Sequence, residues 1–484
     1  MKQKQRQVNT AQLRPIMNKT CLIYTFLVPL LICAMLSCKV TKPYQQPDLN
    51  ANDLYRGQSN TDTATIASMP WDSLFADTTL KALIHEGLYQ NLNLKVAVQK
   101  IAEAQASFGQ SKAAFLPNLS GNASIARSKQ SLASLDYPPG IVVNTVTTAY
   151  QFGLTSSWEA DVWGQLSSAK KAAYANLLQT DAAKRAIQTQ LIADIANNYY
   201  LLLAYDKEQE ILDKTLQNRV KDVETMKALK EGDVVNGAAV VQSEANRYAA
   251  EVAIPDIKRS IRETENAIDI LVGRPPGPLN HAKLDDQKTI TGLQTGIPTQ
   301  LLKNRPDVQQ AEFAFRGAFE NTNLARTYFY PAFTITASGG FSNLQLKDFF
   351  VNSMFYNLAA GLTQPIFNQG INKARLKTAQ AQQMEALYNF QQSLLTAGQE
   401  VSNALYAYQT GVEKDTSRTK EIIALEKSVD YTEQLLRYSS ATNYNDVLTS
   451  EQNLLAAQLS AVNDRLQQLQ AIVNLYRALG GGWR

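Results

Sequence analysis

The 484-residue chain has three cysteines and two histidines, and where these rare residues fall excludes more than their number does. Cys21, Cys33 and Cys38 all lie in the first 38 residues, so a chain cut before Cys38 keeps one thiol and has neither a disulfide nor a thiolate metal centre. His85 and His281 are far apart, belong to no ligand-spaced cluster and read as ordinary surface or core histidines. With only seven methionines besides, soft metal ions find few ligands. There is no nucleophile elbow, phosphate-binding glycine loop or metal-binding helix, which argues against an enzyme. The net charge of +4 is owed to Lys2, Lys4, Arg6, Arg14 and Lys19; without them it is about −1, which argues against a nucleic-acid binder.

Proline is missing from two long stretches, Gly164 to Gly232 and Gly370 to Tyr438. In the first, Ile187, Leu191, Ile195, Tyr199, Leu202 and Leu203 recur at helical spacing; in the second, Met384, Leu387, Leu394, Val401, Leu405, Tyr408 and Val412 do. Continuous helices of this size are on the order of 100 Å long, too long for an ordinary core. Gln242-Ser243-Glu244-Ala245-Asn246 and Leu271-Val272-Gly273 match Ser450-Glu451-Gln452-Asn453 and Ala478-Leu479-Gly480 at a constant offset of 207. Lys112 to Pro117 matches Arg326 to Pro331 at an offset of 214, so the chain reads as two copies of one unit differing by a small insertion.

Basic residues and the apolar run Cys21 to Leu36 make residues 1–37 a signal peptide, shorter than a spanning helix requires. Met35-Leu36-Ser37-Cys38 resembles a lipobox with Cys38 as the acylated first residue; the alternative is an uncleaved anchor. Residues 38–70, polar and with Pro43, Pro47 and Pro70, read as an extended tether. The first repeat, 71–280, is expected to hold helices, a strand pair at about 118–160, a long helix at about 165–230 and a return helix at about 237–272. After a linker at 281–297, the second repeat, 298–484, has a helix, a strand pair at about 332–366, a long helix at about 370–437 and a return helix at about 446–479. Asp77 is expected to cap a helix with Leu80, Leu83, Ile84 and Leu88 on its face, followed by a second helix from about Leu94 to Ala114. Pro255 should kink or divide the first return helix.

The strand pairs alternate. Tyr150, Phe152, Leu154 and Trp158 share one side, with Gln151, Gly153, Thr155 and Glu159 on the other; Phe333, Ile335 and Phe341 oppose Thr334, Thr336 and Ser342. Strands of about ten residues match a bilayer's thickness, with apolar side chains toward lipid and polar ones toward a wet lumen; a small soluble sheet packed on the helices is the alternative. Four strands cannot close a barrel of useful bore, so a membrane role requires association.

Taken together and in order, the lipobox, Trp71 with Leu74-Phe75, Phe115-Leu116-Pro117, Trp158-Glu159 with Asp161 and Trp163-Gly164, Leu271 to Gly277, Arg305-Pro306-Asp307, Gln364-Pro365-Ile366-Phe367 and Leu475 to Trp483 resemble the TolC-like outer-membrane efflux proteins of the lipoprotein, or NodT-type, branch. The resemblance covers essentially the whole mature chain. It implies a mainly α fold with a membrane β-barrel, a homotrimer in which each chain gives four strands to a 12-stranded barrel, and long helices forming a periplasmic α-barrel. It also implies a passive exit duct, not an enzyme, that partners a periplasmic adaptor and an inner-membrane pump of the resistance-nodulation-division (RND) type, with no cofactor beyond the lipid on Cys38. Asp446 and Thr449 match the positions whose side chains narrow the periplasmic end in this family, though Thr449 stands where a second acidic residue is usual. With Tyr438 and Asn443 they form the candidate gate; alternatively Asp446 is a helix N-cap. Gly232, Asp233, Ser440 and Ala441 are the candidate adaptor-contacting tips. Protein secretion through the same conduit, or a structural coiled-coil lipoprotein, are the competing functions; the repeated strand pairs argue against the last.

Overall fold

The computed structural model describes residues 40–49, 54–56, 63–134, 144–288, 293–439 and 443–483. Cys38, Ser440 and Ala441 lie outside the described residues. In chain order the elements are α1 (Trp71–Leu74), α2 (Thr78–Gln90), α3 (Leu92–Ala113), β1 (Asn118–Lys129), β2 (Val146–Ala160), α4 (Gln165–Glu231), α5 (Gly237–Val272), α6 (Leu301–Asn304), α7 (Pro306–Thr327), β3 (Ala332–Asn343), β4 (Met354–Thr363), α8 (Ile371–Tyr438) and α9 (Tyr444–Ala478). α4 and α8 run 67 and 68 residues, about 100 Å each at helical rise.

The chain divides into two compact units. One, residues 1–44, 115–168 and 322–376, carries a four-stranded sheet of order β1-β2-β3-β4 in which every pairing is antiparallel. Its register fixes two chemically opposite faces. Leu119 and Ala123 of β1 align with Ser156 and Phe152 of β2 and, through β3, with Leu358 and Met354 of β4, while Ile125 aligns with Tyr150 and, through it, with Asn343 of β3. The reverse face carries Asn122, Gly153, Gly340 and Phe355 in one row and Ser120, Thr155, Ser338 and Asn357 in the next. Tyr356, Leu358 and Leu362 are left largely exposed on the apolar face. A one-residue slip would exchange these faces, so their separation is what holds the register.

Below the sheet, indoles anchor the turns: Trp158 Nε1 donates to the Phe115 carbonyl at 2.9 Å and Trp163 Nε1 to the Pro331 carbonyl at 2.8 Å. The Asp161 carboxylate accepts from the Leu166 and Ser167 amides at 2.8 and 3.0 Å, satisfying the first donors of α4. Gly164, at φ 78°, makes the left-handed turn between them.

The other unit, residues 45–114, 169–321 and 377–484, holds one large apolar core. Ile195, Tyr199, Leu202 and Leu203 of α4 and Leu394 and Val401 of α8 are buried in it. Met384 and Val412 extend the same stripe but are exposed in the chain. Asp77 caps α2, accepting from Thr79 and Leu80 amides at 2.8 and 3.2 Å, and Asn91 caps α3, which starts at Leu92. α5 is not divided at Pro255: the helix is continuous, and because Pro255 and Glu251 are both exposed, the carbonyl that loses its amide partner faces water. α5 ends where Gly273 turns left-handed at φ 79° and the Arg274 amide reaches back to the Asp269 carbonyl at 2.9 Å. The buried Asp269 carboxylate then holds Arg274 Nε at 2.6 Å and the Gly277 amide at 2.7 Å. The described residues before α1, in a segment polar by composition, are packed: Tyr55, Ile66 and Ala67 are buried, Ile66–Ser68 forms a 3-10 turn, and Thr65 bridges to Thr295. Its few apolar side chains supply the reason.

Candidate functional site

The end of α8 and the start of α9 carry the candidate gate. Tyr438 is the last residue of α8 and exposed. Asn443 caps α9: its Oδ1 accepts from the Asn445 amide at 2.8 Å and the Asp446 amide at 3.3 Å, while Asp446 Oδ2 accepts from the Asn443 amide at 3.2 Å. This reciprocal arrangement puts Asp446 one turn inside the helix, so the N-cap is Asn443 and not Asp446. Its charge is also favourable beside the helix's positive end. Asp446 and Thr449, three residues apart, share an exposed side, while Tyr444, Val447 and Leu448 are buried. The Thr449 hydroxyl donates to the Asn445 carbonyl at 2.7 Å, which commits its proton to its own helix.

The turn between α4 and α5 is built differently. The Val234 amide donates to the Leu229 carbonyl at 2.9 Å and the Asp233 amide to the Lys230 carbonyl at 3.1 Å, a helix-ending pair with Asp233 left-handed at φ 54°. Gly232, the residue free to adopt that conformation, stands one position earlier. Asn236 caps α5 by accepting from the Ala239 amide at 3.2 Å.

Behind these turns Met226, Val240, Tyr444 and Leu448 form a small apolar plug. A buried polar layer follows. The Arg219 guanidinium of α4 pairs with Glu451 of α9 and lies 3.3 Å from Asp222. Burial, then the Asp222 charge, push the Glu451 carboxyl up to about 7, Arg219 offsetting only part of this. Asp222 is also raised, chiefly by burial, and so is Tyr444. Ser428 of α8 and Ser450 of α9 meet at 3.2 Å in the same region. The layer therefore ties three of the long helices.

The duplication at Ser243-Glu244 and Ser450-Glu451 touches this layer, but its chemistry was not read from the sequence. Glu244 forms a partly exposed pair with Lys227 at 3.0 Å, whereas its counterpart Glu451 is largely buried. A signal was present: Leu212, Leu216, Arg219, Val223 and Met226 follow one stripe, as do Tyr444, Leu448, Glu451 and Leu455, and a charge on an apolar stripe calls for a partner. Arg305 of the Arg305-Pro306-Asp307 motif is buried between Asp307 at 2.5 Å, Glu400 at 2.6 Å and the Ala478 carbonyl at 3.0 Å, binding the start of α7 to α8 and to the end of α9. His281 contacts Asp206 at 2.9 Å, and this hydrogen bond raises its pKa against the opposing effect of burial.

The model of the outer membrane efflux protein family matches residues 83–274 and 297–481, one stretch for each repeat. The chain belongs to that family. It is 28% identical to the cation efflux system protein CusC of Escherichia coli K12 over 484 residues, covering 96% of this chain and 99% of CusC. It is likewise 28% identical to the toluene efflux pump outer membrane protein TtgI of Pseudomonas putida, over 94% of this chain and 98% of TtgI. A solved structure of CusC superposes with a TM-score of 0.81 at 26% identity, covering 92% of this chain and all of that one. The open MtrE outer membrane channel of Neisseria gonorrhoeae gives 0.81 at 26% identity, over 92% and 99%. The efflux protein is thus a TolC-like outer-membrane channel, and its relatives are channels rather than enzymes.

Proposed function

We propose that three copies of this chain form one passive exit duct that receives small molecules from a periplasmic adaptor and an RND-type inner-membrane pump. The observation that carries the reading is the sheet: it has one lipid-suited face and one polar face, and among the described residues neither β1 nor β4 has a partner on its outer edge. Unpaired backbone is not tolerated in hydrocarbon, and four strands are too few to close. Three chains supply twelve strands and no edge. The relatives support the partners, since CusC and TtgI are named as parts of a cation efflux system and a toluene efflux pump. Because those cargoes differ so widely, selection would lie mostly in the pump.

Acylation at Cys38 would hold the chain's start at the membrane. At the far end, three copies of Asp446 would ring the aperture with Thr449 below and Tyr438 and Asn443 beside it, a negatively charged constriction that admits cations. Gly232 and Asp233, at the turn after α4, and Ser440 and Ala441, between α8 and α9 in the sequence, would meet the adaptor. The test is single-channel conductance of the purified protein in a planar bilayer, wild type against Asp446→Ala, with added multivalent cations. Small cation-selective currents whose multivalent block disappears in the variant are expected. Currents indifferent to the substitution would remove Asp446 from the gate, and a folded trimer without conductance would refute the duct.

A further inference from the structure

On the polar face of the sheet the side chains are small or hydrophilic, with one exception. Phe355, the second residue of β4, is the one large apolar side chain there among the described strand residues. The register aligns it with Gly340 of β3 and, through that, with Gly153 of β2. These two strands approach so closely at this row that a Cβ on Gly340 would fall 2.1 Å from the Phe152 carbonyl oxygen and 2.5 Å from the Gly153 Cα. Only glycine fits. A Cβ built on Gly153 would meet the Phe355 ring edge at 3.4 Å, which fixes the ring's direction: it reaches from β4 toward β2 over bare backbone, on the side opposite Met354 and Tyr356.

Covering glycine backbone accounts for an aromatic at this position, but it leaves the outer side of the ring turned to the passage, and Phe355 is only partly buried. An aromatic face in water attracts flat apolar groups and, through its quadrupole, organic cations. The row lies at the loop end of the sheet, one residue from the start of β4. We propose that Phe355 is a cargo-contacting residue of the strand-lined passage, forming in the trimer a ring of three aromatic faces that transiently bind lipophilic organic cations as they leave. This rests on the duct reading above. It gives the passage a preference of its own at a row where the neighbouring lining residues, Gln151, Thr155, Ser338, Ser342 and Asn357, offer only hydroxyl and amide groups, the carboxylate of Glu159 lying at the other end of β2.

Two measurements test it. In planar bilayers, tetraphenylphosphonium added to the loop side should block current more strongly than tetramethylammonium; in Phe355→Ser the block should be roughly tenfold weaker, the scale of one lost cation–π contact, and in Phe355→Tyr it should be retained. Thiol labelling covers the case in which Phe355→Ser does not assemble. With Cys38 acylated, Phe355→Cys carries the only free thiol, and it should react with a charged, water-soluble maleimide in intact vesicles and be protected by tetraphenylphosphonium. Block unchanged in a Phe355→Ser trimer of normal conductance overturns the proposal and leaves the ring a cover for glycine. A Phe355→Cys thiol that reacts only with lipid-soluble reagents overturns it as well. Wild-type protein that carries no current overturns the duct reading itself, and the proposal with it.

Discussion

Replacing Glu451 by glutamine should flatten the pH dependence of the helical tips. Glu451 is about one-tenth exposed, beside Arg219, and shares that single guanidinium with Asp222. Burial and the neighbouring carboxylates Asp222 and Glu433 together outweigh Arg219, so the folded carboxyl titrates at about 7 instead of 4.5. Because the folded value lies above the unfolded one, the folded state holds the proton more tightly. Its stabilising contribution is complete below pH 4.5 and is lost as pH rises through about 7. At about 1.4 kcal/mol per tenfold change in proton affinity, the loss is at most about 3 kcal/mol per chain. Glutamine keeps a hydrogen-bond acceptor for Arg219 but exchanges no proton. At pH 8 the variant should therefore be the more stable, by up to about 3 kcal/mol, and at pH 4.5 the two should agree within about 1 kcal/mol. Hydrogen exchange of peptides from the ends of α4 and α8 and the starts of α5 and α9, followed from pH 4.5 to 8, reads this directly. Parallel profiles for wild type and Glu451→Gln would refute the reasoning. Arg219→Met is the complement: it strands the carboxylates and should cost about 3–5 kcal/mol at pH 8 and less in acid.

Arg305→Ala should cost about 1–3 kcal/mol, since it leaves Glu400 with Arg477 alone and the Ala478 carbonyl without the guanidinium donor; thermal unfolding of the detergent-solubilised protein measures it. Gly273→Ala should lower the same midpoint by roughly 2 kcal/mol or more, because φ is 79° and the new Cβ would lie 2.8 Å from the Gln90 carbonyl oxygen. On the sheet, Leu358→Arg should impair insertion by about 2–4 kcal/mol while Thr336→Arg is tolerated, which membrane-fraction yields of the two variants compare. Equal yields would contradict the assignment of faces.

The long helices were legible because proline is absent for nearly seventy residues twice over, and the strands because apolar and polar side chains alternate over most of their length, as in Phe333-Thr334-Ile335-Thr336. Asp77 could be read as a cap because a helix start needs a side-chain acceptor at that position. Other features depend on partners distant in sequence. Nothing local to Arg219 announces Glu451, 232 residues on, and only the interruption of an apolar stripe hints at it. Pro255 was expected to kink or divide its helix; the helix is not divided, because exposure at Pro255 and Glu251 removes most of the reason to break it. Asp446 matched a cap by composition; the actual cap, Asn443, lies three residues earlier, and the reciprocal bond between them requires both. The tether's polar composition concealed Tyr55 and Ile66, which are few but buried.

The central claim is that the open edges β1 and β4 close against one another between chains. Cysteine pairs placed one on β1 (Ser120, Asn122 or Ser124) and one on β4 (Asn357, Ala359 or Gly361) test it most directly, because a disulfide forms only when Cα atoms come within about 7 Å. In one register, oxidation should give a covalent ladder that ends at three chains. A bond within a single chain, or a ladder that continues past three, would contradict the account.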